Sequence, residues 1–170
     1  MPRQSPGDAA QSLFEAYGEE VYRYLWYTLG RRSEAEDLVQ EVFLHVLQSW
    51  QRFEHRSTTR TWLWGIVNNC LREHQRKQRR TPDPIEIREE LEPGSTSAPD
   101  LFLHLEHTLR TLSLSQRQVF VQRVIHERST ADTAAVLGWS EAKVRTTLHR
   151  AMKLVRQSFA ERSDDDERAR

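Results

Sequence analysis

Proline is absent from two long stretches of this sequence and is concentrated between them. Four of the six prolines lie in that middle segment and two lie near the N-terminus, at Pro82, Pro84, Pro93, Pro99, Pro2 and Pro6. Because proline interrupts the interior of a helix, the flanking stretches can be helical throughout, whereas residues 81–100 cannot. The same segment contains the small, polar run 94–98, which is typical of a linker. The chain is therefore expected to be all-α, with two small helical domains joined by a flexible linker.

The linker sets the domain boundaries. We assign residues 12–80 to the first domain and residues 101–160 to the second, with the linker at 81–100. The short, polar stretch 1–11 is predicted to be a disordered N-terminus, and residues 161–170 are predicted to be a charged tail.

Apolar residues recur at helical spacing through the first domain. One ladder uses positions 14, 17, 21, 25 and 29, and Gly30 is placed to end that helix. A second stripe runs to Trp50 and begins behind Ser33, which forms a capping-box signature with Glu36 three residues later. The two patterns predict an antiparallel helical pair joined by a short turn.

A third helix, predicted from about Thr59 to Arg79, mixes aromatic and basic side chains. We assign Trp62 to the core side of this helix, and the later turns form a basic ridge. Arginine and lysine contact phosphates while unstacked bases lie on aromatic rings. This pattern therefore favours binding of single-stranded DNA.

The net charge of zero conceals alternating blocks. Residues 52–82 and 107–163 each carry a net charge of +6, and residues 83–106 between them carry −6. Because salt screens charges beyond about 10 Å, the local charge decides what binds. The two basic blocks indicate nucleic acid as a partner.

The second domain ends in a helix-turn-helix pattern, after predicted helices at 101–112 and 115–126. Ser129 caps a short helix, Gly138 makes the turn, and Ser140 caps a second, basic helix. The packing positions are predicted to be Ala134, Ala135, Leu137, Val144, Leu148 and Ala151. In a major groove, early basic residues of the second helix reach base edges and later ones reach phosphates. The outward residues are Glu141, Lys143, Arg145, Thr146, His149, Arg150 and Lys153.

An enzyme is the competing class, and the sequence gives it little support. Cys70 with His74, and His104 with His107, have helical spacings suited to a metal, but neither pair has further ligands nearby in sequence. Neither a phosphate-binding glycine motif nor a nucleophile elbow is present in the sequence. We therefore predict no catalytic residue, no metal and no cofactor.

The single cysteine allows no internal disulfide and fits a reducing compartment. The sequence shows neither a signal peptide nor an apolar run of membrane-spanning length. The expectation is a cytoplasmic protein with no direct membrane insertion.

A family resemblance rests on several short motifs that occur in order. They are Asp37-Leu-Val-Gln-Glu-Val-Phe43, Trp62-Leu63 with Ile66 and Asn69, Gln116-Arg117 after Leu112, Leu137-Gly138 after Ala134, and Val144-Arg145 with Leu148-His-Arg-Ala151. Over residues 12–158 the chain resembles the extracytoplasmic-function (ECF) sigma factors. The resemblance implies a bacterial transcription initiation factor that binds core RNA polymerase, recognises minus-35 and minus-10 promoter elements and helps to open the DNA. Residues 12–80 would be sigma region 2 and residues 101–160 sigma region 4.

The resemblance also implies site residues and partners. The surface that docks on the beta-prime subunit would comprise Asp37, Leu38, Gln40, Glu41 and Leu44. The minus-10 element would be read and opened by Arg56, Ser57, Thr58, Thr59, Arg60, Trp64, Asn68, Asn69, Arg72 and Arg76. The minus-35 element would be read by Lys143, Arg145, Thr146, His149, Arg150 and Lys153. Promoter DNA, the beta and beta-prime subunits and an anti-sigma factor are the expected partners.

The sequence departs from the family pattern at four positions that bear on promoter preference. They are Gly65, where a basic residue is usual, Ser113, which is commonly proline, and Thr133 and Trp139 in the helix-turn-helix. The alternative is a helix-turn-helix regulator that binds duplex DNA by itself, but such a protein has no need of the acidic helix followed by an aromatic and basic one.

Overall fold

The structure is a computed structural model that describes residues 4–80 and 99–168. The described chain is helical apart from turns and contains no strand, which confirms the all-α prediction for this part. It forms two compact units, one holding the first three helices and the other most of the last four. The helices are α1 (Pro6–Leu29), α2 (Arg32–Ser49), α3 (Thr59–Arg80), α4 (Pro99–Thr111), α5 (Leu114–Phe120), α6 (Thr130–Leu137) and α7 (Glu141–Arg168).

The first unit is an antiparallel pair, α1 and α2, completed by α3. Gly30 ends α1 in the left-handed conformation (φ 75°), which allows the chain to reverse within two residues, as predicted. The core is formed by apolar side chains of all three helices, including Val21, Leu25, Val42 and Leu63, which are fully buried. Burial of each such side chain contributes about 1.5–3 kcal/mol.

Helix α1 begins at Pro6, so residues 6–11 of the stretch predicted to be disordered are helical, while residues 1–3 lie outside the described residues. The Ser5 hydroxyl accepts a hydrogen bond from the Asp8 amide at 3.1 Å, and Pro6 occupies the first helical position. Ala9 and Ala10 are buried, so the first turns are anchored by packing. The sequence is polar here overall, but two small apolar residues and a cap suffice to extend the helix.

The predicted capping box at Ser33 is also wrong. Helix α2 begins at Arg32, which places Ser33 inside its first turn, and the N-cap residue Arg31 makes no side-chain capping bond. Ion pairs occupy this turn instead: Arg31 with Glu34 and Arg32 with Glu36, both at 2.9 Å. Glu36 is therefore engaged by Arg32.

The second unit has its core where α5 packs on α7. Val119, Phe120, Val144 and Ala151 are buried, and Leu109 on α4 is buried as well. The helix predicted at 115–126 differs in one respect. Its α-helical part ends at Phe120, and residues 121–125 form a wider π-helical turn.

Ser113, where the family resemblance led us to expect proline, forms a capping box with Gln116. The Ser113 hydroxyl accepts from the Gln116 amide, and the Gln116 side chain accepts from the Ser113 amide at 2.9 Å. Serine therefore supplies a helix start that needs no proline.

The helix-turn-helix is present with the predicted caps. Ser129 accepts a hydrogen bond from the Asp132 amide at 3.0 Å, and Ser140 accepts one from the Lys143 amide at 3.2 Å. Gly138 makes the turn at φ 67°. The assignment of Ala135 to the packing face is wrong, because this residue is exposed. Leu148, also assigned to that face, is half-buried.

The described part of the molecule extends beyond two predicted boundaries. Helix α4 begins at Pro99, inside the predicted linker, because proline is accepted at the first position of a helix. Helix α7 continues to Arg168, so most of the predicted tail belongs to it. The rest of the linker, residues 81–98, lies outside the described residues.

Candidate protein-docking and nucleic-acid interfaces

The outer face of α2 carries four of the five residues expected to dock on a protein. Asp37, Gln40 and Leu44 are exposed, and Glu41 is partly exposed. Leu44 stands out because 55% of this leucine is exposed, which is unusual for a large apolar side chain. The prediction that Leu38 belongs to the docking face is wrong. Leu38 is 1% exposed and forms part of the core beneath this face.

An aromatic cluster lies at the start of α3 and is formed by Trp50, Phe53, His55 and Trp62. The rings of Phe53 and Trp62 stack with centroids 4.6 Å apart, and Trp50 meets Trp62 edge-on at 5.7 Å. His55 lies 4.4 Å from Phe53 and adopts a left-handed backbone conformation (φ 54°). Trp62, Trp50 and Phe53 are half-buried, so the cluster is partly open to solvent. The prediction that Trp62 belongs to the core is therefore wrong.

The N-terminus borders the aromatic cluster. The indole Nε1 of Trp50 donates a hydrogen bond to the carbonyl of Gln4 at 3.1 Å. An open pocket of about 710 Å³ lies here and is lined by Gln4, Ser5, Pro6, Trp50, Gln51, Phe53, His55 and Thr59. Its rings and polar groups suit a flat, polar ligand such as a nucleobase.

The loop before α3 supplies hydroxyls and arginines. Arg56, Ser57, Thr58 and Arg60 are exposed and Thr59 is half-buried. The Thr58 hydroxyl accepts a hydrogen bond from the Thr61 amide at 3.1 Å, so it also caps α3. Arg60 pairs with Glu20 at 3.3 Å, which fixes the start of α3 to α1.

Two of the residues predicted to contact the minus-10 element are buried instead. Trp64 is fully buried and packs edge-on against Tyr24, with ring centroids 5.1 Å apart. Asn68 is also buried, and its side-chain oxygen accepts a hydrogen bond from the Tyr24 hydroxyl at 3.0 Å. Both residues therefore hold α3 against α1, and their predicted contact with DNA is corrected.

The remaining predicted residues of α3 are exposed. Asn69, Arg72 and Arg76 lie on the surface, and the guanidinium of Arg72 donates to the side-chain oxygen of Asn69. Arg72 and Arg76 therefore lie on the exposed basic ridge of α3, where they were predicted.

The outward face of α7 has the composition that was predicted. All six predicted residues are exposed: Lys143, Arg145, Thr146, His149, Arg150 and Lys153. The ammonium of Lys143 lies 3.8 Å from the centroid of the Trp139 ring, a cation–π contact. Arg145 pairs with Glu141 at 3.0 Å across one helical turn. Such an exposed pair is weak and yields readily to a stronger acceptor.

Cys70 has neighbours that the sequence did not suggest. Its sulfur, a carboxylate oxygen of Glu41 and a ring nitrogen of His45 all lie within 4.8 Å of one another. Burial, together with the charges of Glu41 and Glu73, raises the pKa of the Cys70 thiol from 9.0 to about 11. The sequence showed only the one-turn spacing of Glu41 and His45 on α2, and it did not show that Cys70 of α3 lies beside them.

The two pairs considered for metal binding have other partners. His74 lies 3.1 Å from a carboxylate oxygen of Glu34, and His104 lies 3.2 Å from the carbonyl of Ser158.

Among the described helices, none has the length and apolar character needed to cross a membrane.

Comparison with known proteins assigns a family to both halves of the chain. The Sigma-70 region 2 model matches residues 13–81, and the Sigma-70 region 4 model matches residues 103–155. ECF RNA polymerase sigma factor SigX of Bacillus subtilis (strain 168) is 31% identical over 162 residues, covering 86% of this chain and 81% of SigX. ECF sigma factor SigC of Mycobacterium tuberculosis (strain CDC 1551 / Oshkosh) is 31% identical over 149 residues, covering 85% of this chain and 80% of SigC.

A solved structure supports the fold. The sigma factor RpoE of Bartonella quintana, in complex with the anti-sigma factor NepR, superposes with a TM-score of 0.69. The superposition covers 90% of this chain and 97% of RpoE at 21% sequence identity. The described helices and the family matches therefore agree along nearly the whole chain, and the protein belongs to the ECF RNA polymerase sigma factors.

Proposed function

We propose that this chain brings core RNA polymerase to promoters by using three separate surfaces. The outer face of α2 docks on the enzyme, the aromatic cluster with the basic ridge of α3 holds the opened minus-10 element, and α7 reads the minus-35 element. The observation that carries the proposal is the aromatic cluster at the start of a basic helix. A protein that only binds duplex DNA needs no such surface, whereas a protein that holds unstacked bases does.

Docking is assigned to Asp37, Gln40, Glu41 and Leu44. Two carboxylates beside an exposed leucine offer a partner both charge and apolar area. Apolar contact gives affinity, and complementary charge mainly fixes register and association rate. The partner surface is proposed to be on the beta-prime subunit, as the family resemblance implies, with further contacts to the beta subunit.

The minus-10 role is assigned to the aromatic cluster, the hydroxyl-bearing loop and the exposed polar residues of α3. The half-buried rings supply stacking surfaces, and each stacked base contributes about 1–3 kcal/mol. Arg56, Arg60, Arg72 and Arg76 supply phosphate contacts. The pocket beside Trp50 is proposed to receive one unstacked base.

The minus-35 role is assigned to the exposed basic face of α7. Lys143, Arg145 and Thr146 lie in its first two turns, so they are proposed to reach base edges. Arg150 and Lys153 lie one to two turns further on and are proposed to bind phosphates.

The decisive experiment compares the chain alone with the chain bound to core polymerase. A gel-shift assay and a run-off transcription assay on genomic fragments are performed with and without core enzyme. The proposal expects specific transcripts and shifts only when core enzyme is present. A sequence-specific shift by the chain alone, with no effect on transcription, would instead establish the stand-alone helix-turn-helix regulator.

An anti-sigma factor is a second proposed partner, and the protein is proposed to act in the cytoplasm, where the polymerase is. Three large apolar residues of the first unit, Phe14, Leu44 and Leu47, are exposed. They offer an apolar area to a helix of an inhibitor. The test is inhibition of run-off transcription by a candidate anti-sigma factor, with Leu47→Glu expected to resist inhibition.

A further inference from the structure

Three metal-binding side chains of the first unit converge on one point between α2 and α3. Glu41 and His45 are one turn apart on α2, and their nearest ligand atoms lie 3.9 Å apart. Cys70 reaches the same point from α3, and its sulfur lies within 4.8 Å of both ligand atoms. None of the functions assigned above uses His45 or Cys70.

The spacing of these atoms suits a tetrahedral ion. Bonds of about 2.0–2.3 Å to nitrogen, oxygen and sulfur place neighbouring ligand atoms roughly 3.3–3.8 Å apart. The side chains of Glu41 and His45 are 36% and 48% exposed, so they have space to rotate inward by the remaining distance, under about 1.5 Å. Cys70 is 3% exposed and forms the fixed inner corner.

We propose that Glu41, His45 and Cys70 form a binding site for a divalent transition-metal ion of the Zn²⁺ type. One carboxylate, one imidazole and one thiolate together suit a borderline-soft cation, whereas Mg²⁺ and Ca²⁺ are bound by oxygen ligands and are poorly served by an imidazole and a thiolate. Three protein ligands leave the fourth position open, on the exposed side of the site, for water. The metal–sulfur bond forms as the thiol releases its proton to the solvent, with no change of oxidation state.

The site has a consequence for docking, and this part rests on the proposed function of α2. Glu41 is one of the proposed docking residues, and a bound ion occupies its carboxylate and cancels its charge. The metal-loaded chain is therefore expected to bind core polymerase more weakly than the metal-free chain. Metal availability would then regulate how much of the chain is competent for initiation.

The site is tested on the full-length chain after treatment with a chelator. Co²⁺ is titrated in, and absorption is measured in the near-ultraviolet, where thiolate-to-cobalt charge transfer appears, and in the visible range, where tetrahedral Co²⁺ absorbs. The expected result is saturation at one equivalent, with the signal displaced by Zn²⁺. Cys70→Ala should abolish the charge-transfer band, and His45→Gln should weaken binding at least tenfold.

The control is His107→Gln, which removes another exposed histidine and should leave the titration unchanged. His45 is exposed, so His45→Gln keeps the fold and the test stands even if Cys70→Ala is poorly folded. Absence of the charge-transfer band in the wild-type chain overturns the site, as does binding by His45→Gln with wild-type affinity.

The docking consequence is tested separately by pull-down of core polymerase with and without Zn²⁺. Recovery of core should fall with Zn²⁺ for the wild-type chain and stay constant for His45→Gln. If Co²⁺ binds but Zn²⁺ leaves recovery unchanged, the coupling is overturned while the site stands. If neither chain recovers core under any condition, the proposed function fails independently of the cobalt result.

Discussion

Trp62 and Trp64 are two residues apart on α3 and offer a matched test of the first unit. Trp64 is fully buried against Tyr24, whereas Trp62 is half-buried in the aromatic cluster. A buried tryptophan removes up to about 250 Å² from water, which at ~25 cal/mol/Å² corresponds to roughly 6 kcal/mol as an upper limit. Because the surroundings relax, we expect Trp64→Ala to lower the free energy of unfolding by about 4 kcal/mol.

Trp62→Ala is expected to cost about half as much, ~2 kcal/mol, because only part of the ring is removed from water. Its larger effect should be on promoter opening, since it removes one of the stacking surfaces. The assays are urea unfolding followed by circular dichroism, fitted with one transition per unit, and permanganate reactivity of promoter thymines with core enzyme present.

Trp26→Ala is the control for this pair. Trp26 is also half-buried in the first unit, stacked with Tyr22 and Tyr27, and is outside the proposed minus-10 surface. The Trp26→Ala variant should lose about as much stability as Trp62→Ala, but promoter thymines should keep their normal permanganate reactivity. The burial argument is refuted if Trp62→Ala and Trp64→Ala are equally destabilised, and the DNA assignment is refuted if Trp62→Ala opens promoters normally.

Three further predictions concern other surfaces. Glu41→Lys should change the free energy of unfolding by less than about 0.5 kcal/mol but weaken core binding in a pull-down, and full recovery of core by the folded variant would exclude this docking face. In a randomised minus-35 library transcribed with core enzyme, Arg145→Ala should relax base preference, at about 1–3 kcal/mol per lost contact, whereas Lys153→Ala should weaken all promoters alike. An unaltered sequence preference for Arg145→Ala would remove it from the base readers. Gly65→Ala should raise the free energy of unfolding by about 1 kcal/mol in urea, because Gly65 lies inside α3 and an added Cβ meets no other atom within 4 Å.

Local signals were enough to predict the elements whose chemistry is local. Gly30 and Gly138 adopt the left-handed conformations expected of them, and Ser129 and Ser140 cap the helices they precede. Each of these roles depends on hydrogen bonds within four residues. The predicted capping box at Ser33 was wrong because α2 starts one residue earlier, at Arg32. Arg31 and Arg32 pair with Glu34 and Glu36 in this first turn.

Tertiary contacts decided what periodicity left ambiguous. Residues two apart on a helix point in nearly opposite directions, so Trp62 and Trp64 cannot both face the core of the first unit, and the sequence does not say which one does. Tyr24 on α1 decides it, because its ring packs on Trp64 and its hydroxyl binds Asn68. The convergence of Cys70 with Glu41 joins residues of different helices, so no spacing rule within one helix reveals it.

The burial of Cys70 also makes this chain convenient for site-specific labelling. The thiolate is the nucleophile that reacts with maleimide dyes, and a thiol with a pKa of about 11 forms little thiolate at neutral pH. The one native cysteine is therefore a slow competitor and need not be removed. Cysteines introduced at exposed positions outside the proposed interfaces, such as Glu19→Cys in the first unit and Gln157→Cys in the second, would accept a donor and an acceptor dye selectively. Energy transfer between the dyes would then report the distance between the two units before and after core polymerase is added.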